Sequence, residues 1–209
     1  NSSALINGLG SSGNLCRLGI LSYGVYTHPS QKEKIDLKPV MTFKSTVIQI
    51  KEIPKGATVG YNQTWKAKRK TRYAVIPVGY ADGYDFLLSN KGKVLIAGKL
   101  CPVIGKVSMD MICVDITDAP EIQYGTEVIL LGNGYNDIRV ENLVSLYNGS
   151  SYELLCQVGR RAKRYYYEGG RLVTAAPLSR RDFVSSDYPN SKLNQIIQSA
   201  IAQRINSEE

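Results

Sequence analysis

The sequence predicts a mainly β fold, in which short strands curl into a closed or nearly closed barrel of the Greek-key type with short helices attached. Two observations lead to this prediction. Between residues 35 and 131, short apolar runs alternate with tight turns rich in glycine, proline, asparagine and aspartate. In two other places, near residues 140 and 195, the apolar residues recur at helical spacing instead.

Composition is that of an ordinary globular protein. The chain has 209 residues, of which 43% are hydrophobic and 21% charged. This length allows one large or two small domains with a sizeable core. No apolar run approaches the roughly 18 residues of a membrane-spanning helix. Residues 1–4 lack the basic region and apolar core that open a signal peptide.

Cysteine usage indicates a reducing compartment. Cys16, Cys101, Cys113 and Cys156 are widely separated and lie mostly in apolar runs. Such single cysteines are typically buried, reduced thiols and not disulfides or metal ligands. Because His28 is the only histidine, a histidine-based zinc site is not expected. We therefore expect a cytoplasmic location and no bound metal.

The net charge of +8 is concentrated in three basic clusters, at residues 66–70, 160–164 and 180–181. Tyrosines follow the second cluster at residues 165–167, and basic residues beside aromatic ones can contact phosphates and stack on bases. A solvated basic surface, or one covered by an acidic partner domain, explains the same charge. Since no recognised nucleic-acid module accompanies it, nucleic-acid binding is not expected.

The start of the chain predicts a helical turn, a glycine- and serine-rich loop and then a buried strand over residues 15–21. A strand this apolar needs neighbours on both faces. Arg17 lies within it, and a buried arginine requires a paired charge or a polar ligand unless its side chain reaches solvent at the strand end. The polar residues 28–34 are expected to be a linker between domains.

A long β segment follows over residues 35–53. Its apolar side chains alternate through Met41, Phe43 and Val47, and the phase then shifts by one residue at Ile48. Such a shift moves the apolar side chains to the other face, which indicates a bulge or bend at a barrel corner.

The remaining strands are separated by turn signals. Residues 73–78 are nearly all apolar, so this strand should be central in the sheet. The pair Gly98-Lys99 predicts a hairpin. Further strands are predicted over residues 93–97, 100–107, 111–116 and 127–131, and a closing strand pair over residues 165–173 surrounds Gly169-Gly170.

Three helices are predicted. Asp137 should cap the first, Gly149 should end it, and its apolar face comprises Val140, Leu143, Val144 and Tyr147. Residues 152–158 suggest a second helical turn. The third is an amphipathic helix in the tail after Pro189, with an apolar stripe of Leu193, Ile196, Ile197, Ala200 and Ile201.

Two tyrosines each follow a glycine, in Gly60-Tyr61 and in Gly79-Tyr80-Ala81-Asp82-Gly83, and a Met109-Asp110 pair comes later. Glycine and aspartate permit sharp turns, from which a tyrosine hydroxyl can project out of the sheet. From the residues alone, two ordinary β-turns that carry tyrosine explain this pattern equally well.

These motifs, together with Ser151-Tyr152-Glu153, Asn1-Ser2 and Arg17-Leu18-Gly19-Ile20, resemble the C-terminal half of the alanine racemases, which use pyridoxal phosphate. The resemblance covers about residues 1–168 in the family's order. It implies that residues 1–27, including the predicted strand, are the end of an N-terminal TIM barrel that binds the cofactor and is otherwise absent from this sequence. Residues 35–177 would be the C-terminal β domain and residues 178–209 an added tail.

The resemblance also implies roles for the matched residues. Tyr61 matches one of two catalytic bases, whereas the other base, the lysine that anchors the cofactor, has no counterpart here, so the 209 residues alone should be inactive. Arg17 matches the residue that faces the pyridine nitrogen. Phosphate-binding positions match Ser2, Gly19, Ile20 and Tyr152. Positions at the substrate pocket or its entrance match Met109, Tyr80, Asp110 and Lys106, the last of which stands where arginine is usual.

The implied activity is interconversion of L- and D-alanine by a homodimer, in which each C-terminal domain completes the partner's site. Tyr61, Tyr80 and Met109 would face the partner's cofactor, and the phosphate-binding residues their own. Phe86 replaces an arginine of some relatives, and a racemase for serine or for several amino acids, which can be membrane-anchored, stays open. An alternative of another class is a non-catalytic β-barrel module for dimerisation or nucleic-acid binding.

Overall fold

The computed structural model describes residues 1–9, 17–132, 135–159 and 161–176. Its contacts divide the chain into two units after Gly159. The first unit contains the candidate site residues, and the second begins at Arg160. The predicted tail helix lies outside the described residues, and the domain limits predicted from the sequence stay predictions.

Strands dominate the described residues. They are β1 (Phe43–Thr46), β2 (Gln49–Ile53), β3 (Thr58–Val59), β4 (Trp65–Lys66), β5 (Thr71–Ile76), β6 (Lys93–Ile96), β7 (Lys99–Ile104), β8 (Ile112–Asp115), β9 (Glu127–Leu131), β10 (Arg164–Glu168) and β11 (Arg171–Ala176). The α-helices are α1 (Ser2–Ile6), α2 (Val140–Ser145) and α3 (Ser151–Gln157). Short 3₁₀ turns occupy Ile20–Tyr23, Pro29–Glu33, Tyr61–Gln63, Tyr80–Asp82, Phe86–Leu88 and Asn136–Ile138.

Seven strands of the first unit form one curled antiparallel sheet in the order β1-β9-β6-β7-β8-β5-β2. Strands β6, β7 and β8 follow one another, and β9 returns to lie beside β6, which is the Greek-key order. Apolar side chains from the strands fill the inside, and Val94, Ile96 and Val128 among them are fully buried. The predicted mainly β fold with a Greek-key sheet is confirmed.

The two ends of the sheet are neighbours in sequence, because only Val47 and Ile48 separate β1 from β2. The Val47 N–H donates to the Thr126 carbonyl at 3.0 Å, and the Ile48 N–H donates to the Val75 carbonyl at 3.0 Å. One continuous segment therefore pairs first with one end of the sheet and then with the other. The bend lies where the apolar phase shifts, as predicted.

The central strand and the hairpin also form where the sequence predicts them, apart from a shift of one residue in the hairpin turn. Strand β5 pairs with both β2 and β8 and is central, as predicted. Strands β6 and β7 form the predicted hairpin, but its turn is Ala97-Gly98, one residue earlier than expected. Both turn residues have positive φ (49° and 76°), the conformation of tight hairpin turns that match strand twist.

The helix over Val140–Ser145 forms where its apolar periodicity predicts it, yet its start is different from the prediction. Asp137 lies in the preceding 3₁₀ turn and does not cap the helix; its carboxylate instead binds the Lys93 ammonium at 2.7 Å. Lys93 also lowers the pKa of Asp137. At the other end, the helix stops at Ser145, earlier than the predicted Gly149; Asn148 takes the left-handed conformation (φ 56°), and the Gly149 N–H donates to the Val144 carbonyl at 2.9 Å.

The predicted strand over residues 15–21 is wrong in its described part. Residues 17–19 belong to no strand, and Ile20–Tyr23 is a 3₁₀ turn. A strand requires a hydrogen-bonded neighbour, and no described strand pairs with this segment. Arg17 is exposed, so the argument from the cost of burying its charge does not apply.

Cysteine burial is mixed. Cys101 is buried, and burial raises the pKa of its thiol to about 11. Cys113 is half-buried, and its thiol pKa is raised for the same reason. Cys156 is exposed because it lies on α3, so the prediction of burial fails there. All three are free thiols, and Cys16 lies outside the described residues.

In the second unit, β10 and β11 pair around Gly169-Gly170, as predicted. The register shifts between Tyr166 and Tyr167. The side chains of residues 164–173 are exposed.

Arg139 connects the start of α2 to the residues that precede β1. Its guanidinium binds the Glu141 carboxylate at 2.7 Å, and both side chains are only 13% exposed. It also donates to the Gly24 carbonyl at 2.9 Å and to the Leu37 carbonyl, and it lies over the Tyr26 ring at 5.2 Å from the centroid. Arg139 thus binds two carbonyls of the segment before β1 and one carboxylate.

Replacing Arg139 by methionine should lower the free energy of unfolding by about 3 kcal/mol, because the Glu141 carboxylate would stay half-buried without its partner. The measurement is urea denaturation at neutral pH. The matched control is Lys44→Met, which removes the exposed Lys44–Glu127 pair and should change stability by less than about 0.5 kcal/mol. Equal losses for the two variants would contradict the role given to Arg139.

Candidate active site

Tyr61 lies at the tip of the small β3–β4 ribbon, on a turn with unusual backbone angles. Gly60 has φ 79°, and Asn62 and Gln63 have φ 58° and 52°. Left-handed conformations are disfavoured for residues with a side chain, and least for asparagine. The turn leaves Tyr61 71% exposed, so its phenol projects from the sheet as predicted.

The Tyr61 turn rests on the end of β7 through a contact between two glycines. A Cβ added at Gly60 would lie 3.0 Å from the backbone nitrogen of Lys106, and one added at Gly105 would lie 2.7 Å from the Val59 carbonyl oxygen. Only residues without a side chain allow this approach. Tyr61 and Lys106 are thereby carried by segments in direct backbone contact.

The Tyr80 turn rests in the same way on the Ser108-Met109 segment. The Tyr80 N–H donates to the Ser108 carbonyl at 3.0 Å, and the Ala81 N–H donates to the Met109 carbonyl at 3.1 Å. A Cβ at Gly79 would collide with both of these carbonyl oxygens. The structure therefore brings Tyr80 and Met109 together.

The other side of the Tyr80 turn supports α3. A Cβ at Gly83 would collide with the Gln157 carbonyl and with Val158 at the end of this helix, and the Gly159 N–H donates to the Asp82 carbonyl at 3.3 Å. Tyr152 lies on the first turn of α3 and is exposed. One five-residue turn thus contacts two further segments that carry candidate residues.

Met109 and Asp110 form the tip of a turn that Ser108 closes. The Ser108 hydroxyl donates to the Met111 carbonyl at 2.8 Å and accepts from the Met111 N–H at 3.0 Å. Met109 and Asp110 are both exposed. The Met109 side chain is 53% exposed at this end of the sheet.

Phe86 joins two of the predicted entrance residues. Its ring meets the Tyr80 ring edge-on, with centroids 6.4 Å apart, and the Lys106 ammonium lies 5.6 Å from its centroid. An ammonium over an aromatic face is attracted by the ring's negative face. The sequence marks Phe86 only as a departure from the family pattern, because contacts between distant residues leave no periodic signal.

Tyr84 anchors the Tyr80 turn from beneath and was missed in the sequence. It follows Gly83, its side chain is fully buried, and its N–H donates to the Gly79 carbonyl at 3.1 Å. Burial raises the pKa of its phenol. An aromatic residue directly after a glycine-rich turn is the only signal that could have pointed to it.

Ser2, Gly19 and Ile20 form a second group near the start of the chain. The Ser2 hydroxyl oxygen accepts from the Gly19 N–H at 3.1 Å and from the Leu21 N–H at 3.4 Å, and Ser2 is buried. These two contacts use its lone pairs, so the hydroxyl hydrogen can be donated to an external oxygen. Arg17 and Tyr152 are exposed, and Tyr152 lies on α3.

The basic cluster at residues 66–70 is partly neutralised by carboxylates. Arg69 pairs with Asp118 and Lys70 pairs with Glu52. Hydrogen bonding to these cations lowers the pKa of both carboxyl groups. The charge density that a nucleic-acid backbone would meet on this loop is therefore smaller than the sequence suggests.

Residues 40–166 match the family model described as alanine racemase, C-terminal domain. The chain belongs to the alanine racemase family. The predicted family resemblance is confirmed, and the matched range contains the Tyr61, Tyr80 and Met109 turns. The matched range also contains all seven strands of the curled sheet.

Individual relatives agree with this assignment. The chain is similar to the alanine racemase of Halothermothrix orenii, with 38% identity over 167 residues that cover 79% of this chain and 44% of that one. It is similar to the alanine racemase of Syntrophobacter fumaroxidans, with 41% identity over 170 residues, 81% of this chain and 45% of that one. The chain thus spans about half the length of the curated racemases it matches.

Solved racemase structures share the fold. The alanine racemase of Clostridium difficile 630 superposes with a TM-score of 0.77 and 34% identity, covering 85% of this chain and 46% of that one. The alanine racemase of Bartonella henselae, solved with covalently bound pyridoxal phosphate, gives a TM-score of 0.65 and 37% identity over 71% of this chain and 40% of that one.

Replacing Gly79 by alanine should destabilise the chain by about 3 kcal/mol, because the new methyl group would overlap two carbonyl oxygens. The backbone itself tolerates alanine there, since φ is −150°. Gly98→Ala is the control: it meets nothing within 4 Å and suffers only from its φ of 76°, at a cost of about 1 kcal/mol. Urea denaturation measures both, and a larger loss for Gly98→Ala would contradict the contact argument.

Proposed function

We propose that this chain is the C-terminal part of a pyridoxal-phosphate-dependent alanine racemase that interconverts L- and D-alanine. The observation that carries the proposal is the convergence of Tyr61, Tyr80, Met109 and Lys106 on turns held by glycine contacts, within the range that matches the racemase domain. Coincidental β-turns would have no reason to share these contacts.

Tyr61 acts as one of the two bases. Removing a proton from one face of the α-carbon and returning one to the other requires a base on each face. The exposed phenol oxygen of Tyr61 holds or moves the proton on one face, and the fixed backbone of its turn sets where that oxygen lies. A free phenol titrates near pH 10, so such a base needs cationic neighbours to work near neutrality.

The group near the start of the chain, together with Arg17 and Tyr152, suits a phosphate and a pyridine ring. Ser2 would donate its hydroxyl hydrogen, Gly19 and Ile20 lie on the backbone that Ser2 holds, and the Tyr152 hydroxyl would add a donor. Arg17 stays protonated and can only donate, so it would leave a ring nitrogen without a proton. Pyridoxal phosphate, when bound, supplies the electron sink for the charge at the α-carbon.

The entrance residues would orient the amino acid. The Met109 N–H would receive the substrate carboxylate, and the ammonium of Lys106 would attract it. Tyr80 and Asp110 would line the pocket or its entrance. Lys106 lacks the forked geometry of the arginine usual there, so its attraction is less directional.

A homodimer with two composite sites completes the proposal. Several large apolar side chains are exposed beside the candidate residues, and a clustered apolar surface typically marks an interface. They are Tyr61, Tyr80, Phe86, Leu87, Met109 and Met111. The N-terminal barrel of a second copy would cover them and contribute the missing lysine.

A cytoplasmic location is part of the proposal. The three free cysteines of the described residues suit a reducing compartment. In the described part of the chain, no helix is long and apolar enough to cross a membrane.

Substrate choice is tested by measuring D-isomer formation from L-alanine and from L-serine, using the full-length gene product with pyridoxal phosphate. We expect faster conversion of L-alanine. A preference for L-serine would replace alanine in the proposal, since one hydroxyl group requires only a small change in the pocket. Conversion of neither would overturn the proposal and favour a non-catalytic module.

Replacing Tyr61 by phenylalanine should slow conversion of L-alanine by about 10²-fold or more, because one face of the α-carbon loses its proton acceptor. The cofactor's absorbance should be unchanged, since Tyr61 is not among its ligands. Tyr124→Phe, at another exposed tyrosine, is the control and should leave the rate unchanged. Full activity in the Tyr61 variant would remove this residue from its role.

A further inference from the structure

The adjacent residues Ser89 and Asn90 hold both segments that carry Tyr61 and Lys106. The Asn90 amide oxygen accepts from the Gly105 N–H at 2.7 Å, and its amide nitrogen donates to the Thr64 hydroxyl at 3.1 Å. The Ser89 hydroxyl accepts from the Val107 N–H at 3.0 Å. The backbone on either side of Lys106 is thus bonded to one dipeptide, which also reaches the end of the Tyr61 turn.

The Tyr61 turn is stabilised by contacts from outside it. Asn62 and Gln63 are consecutive left-handed residues, a conformation that costs free energy for residues with a side chain and that surrounding contacts offset. The ribbon of β3 and β4 that carries the turn has only two residues in each strand. Two of the contacts that hold it are the Gly60–Gly105 approach and the bond from Asn90 to Thr64.

We propose that Asn90 is a positioning residue, which fixes the Tyr61 turn against the Gly105–Lys106 backbone through Thr64. The inference rests on the proposed function, in which the phenol oxygen of Tyr61 must reach the α-carbon of the substrate. Asn90 itself has φ 58°, where asparagine is among the best-tolerated residues, and its amide offers both the acceptor and the donor that the two partners need.

Asn90 acts on Tyr61 and not on the substrate. A misplacement of about 1 Å in a reacting group can cost about 10²-fold in rate. The bond from Asn90 to Thr64 is exposed and its bond to Gly105 is partly buried, so their loss should loosen the turn without unfolding the domain. The expected effect on turnover is therefore about two- to tenfold, the range of one hydrogen bond.

The test uses substitutions that separate the bond from the backbone. Asn90→Gly removes the amide but keeps the left-handed backbone at no steric cost. Thr64→Val removes only the hydroxyl, and Thr64→Ser restores it. The matched control is Asn148→Gly, the same change at another left-handed asparagine with φ 56°.

Kinetic measurements use the full-length holoenzyme with L- and D-alanine deuterated at the α-carbon. Asn90→Gly and Thr64→Val should each lower kcat by about two- to tenfold with little change in KM. Both variants should raise the deuterium isotope effect. The increase should be larger for the alanine isomer whose α-proton Tyr61 removes than for the other isomer. Thr64→Ser and Asn148→Gly should behave as the parent protein. The double variant should be no slower than the slower single one, since both changes break the same bond.

A second readout does not depend on turnover. Trp65, the single tryptophan of the 209 residues, follows Thr64 directly. In this chain, Asn90→Gly and Thr64→Val should increase quenching of its fluorescence by acrylamide.

Each outcome has one meaning. If the parent protein racemises alanine but the double variant loses the product of both single effects, or the isotope effects and the quenching stay unchanged, the positioning role is wrong and the proposed function stands. If the parent protein shows no racemisation while quenching increases, Asn90 holds the turn but the role assigned to Tyr61 fails.

Discussion

Contact between backbones at glycine is the constraint on which the candidate site depends. At Gly79 and Gly83 the chain is enclosed between the Ser108-Met109 carbonyls and the end of α3, with no room for a Cβ on either side. At Gly60 and Gly105 two segments also approach closely, since an added Cβ would lie 3.0 and 2.7 Å from backbone atoms of the other segment. A side chain at any of these positions would separate the turns, and the residues that they carry would no longer face the same region. Glycine is required here because it has no Cβ atom, as well as for its conformational freedom.

Much of the fold is predictable from periodicity. In a curled sheet with one buried face, apolar residues recur at every second position of a strand. The phase shift at Ile48 is such a signal, and the unbroken apolar run of β5 is the signal of a central strand; both are confirmed. The strand over residues 15–21 has the right composition but no partner among the described strands, and composition alone cannot supply a ladder. Asp137 has the residue type of a cap, yet the ammonium of Lys93 competes for its carboxylate.

The site was predictable in part, for a different reason. Tyr61 and Tyr80 stand out because glycines precede them and because the motifs resemble a known family. That Phe86 would lie between Tyr80 and Lys106, or that Asn90 would bridge Thr64 and Gly105, follows only from the three-dimensional path of the chain. Bonds between residues distant in sequence produce no local pattern. The sequence therefore reveals the residues at the exposed turns but not the residues that support those turns.

The pairing of β1 with β9 has a consequence for how the chain folds. Phe43 lies opposite Leu131, whereas β2 finds its partner β5 much sooner along the chain. Closing the long loop between β1 and β9 is slow, and the hydrogen bonds that offset its entropy cost form only once β9 has been synthesised. During synthesis, β1 therefore leaves the ribosome long before β9, the strand it pairs with, and stays without a strand partner until then. Closure of the sheet is a late event, and until then the unpaired strand is open to pairing with another chain.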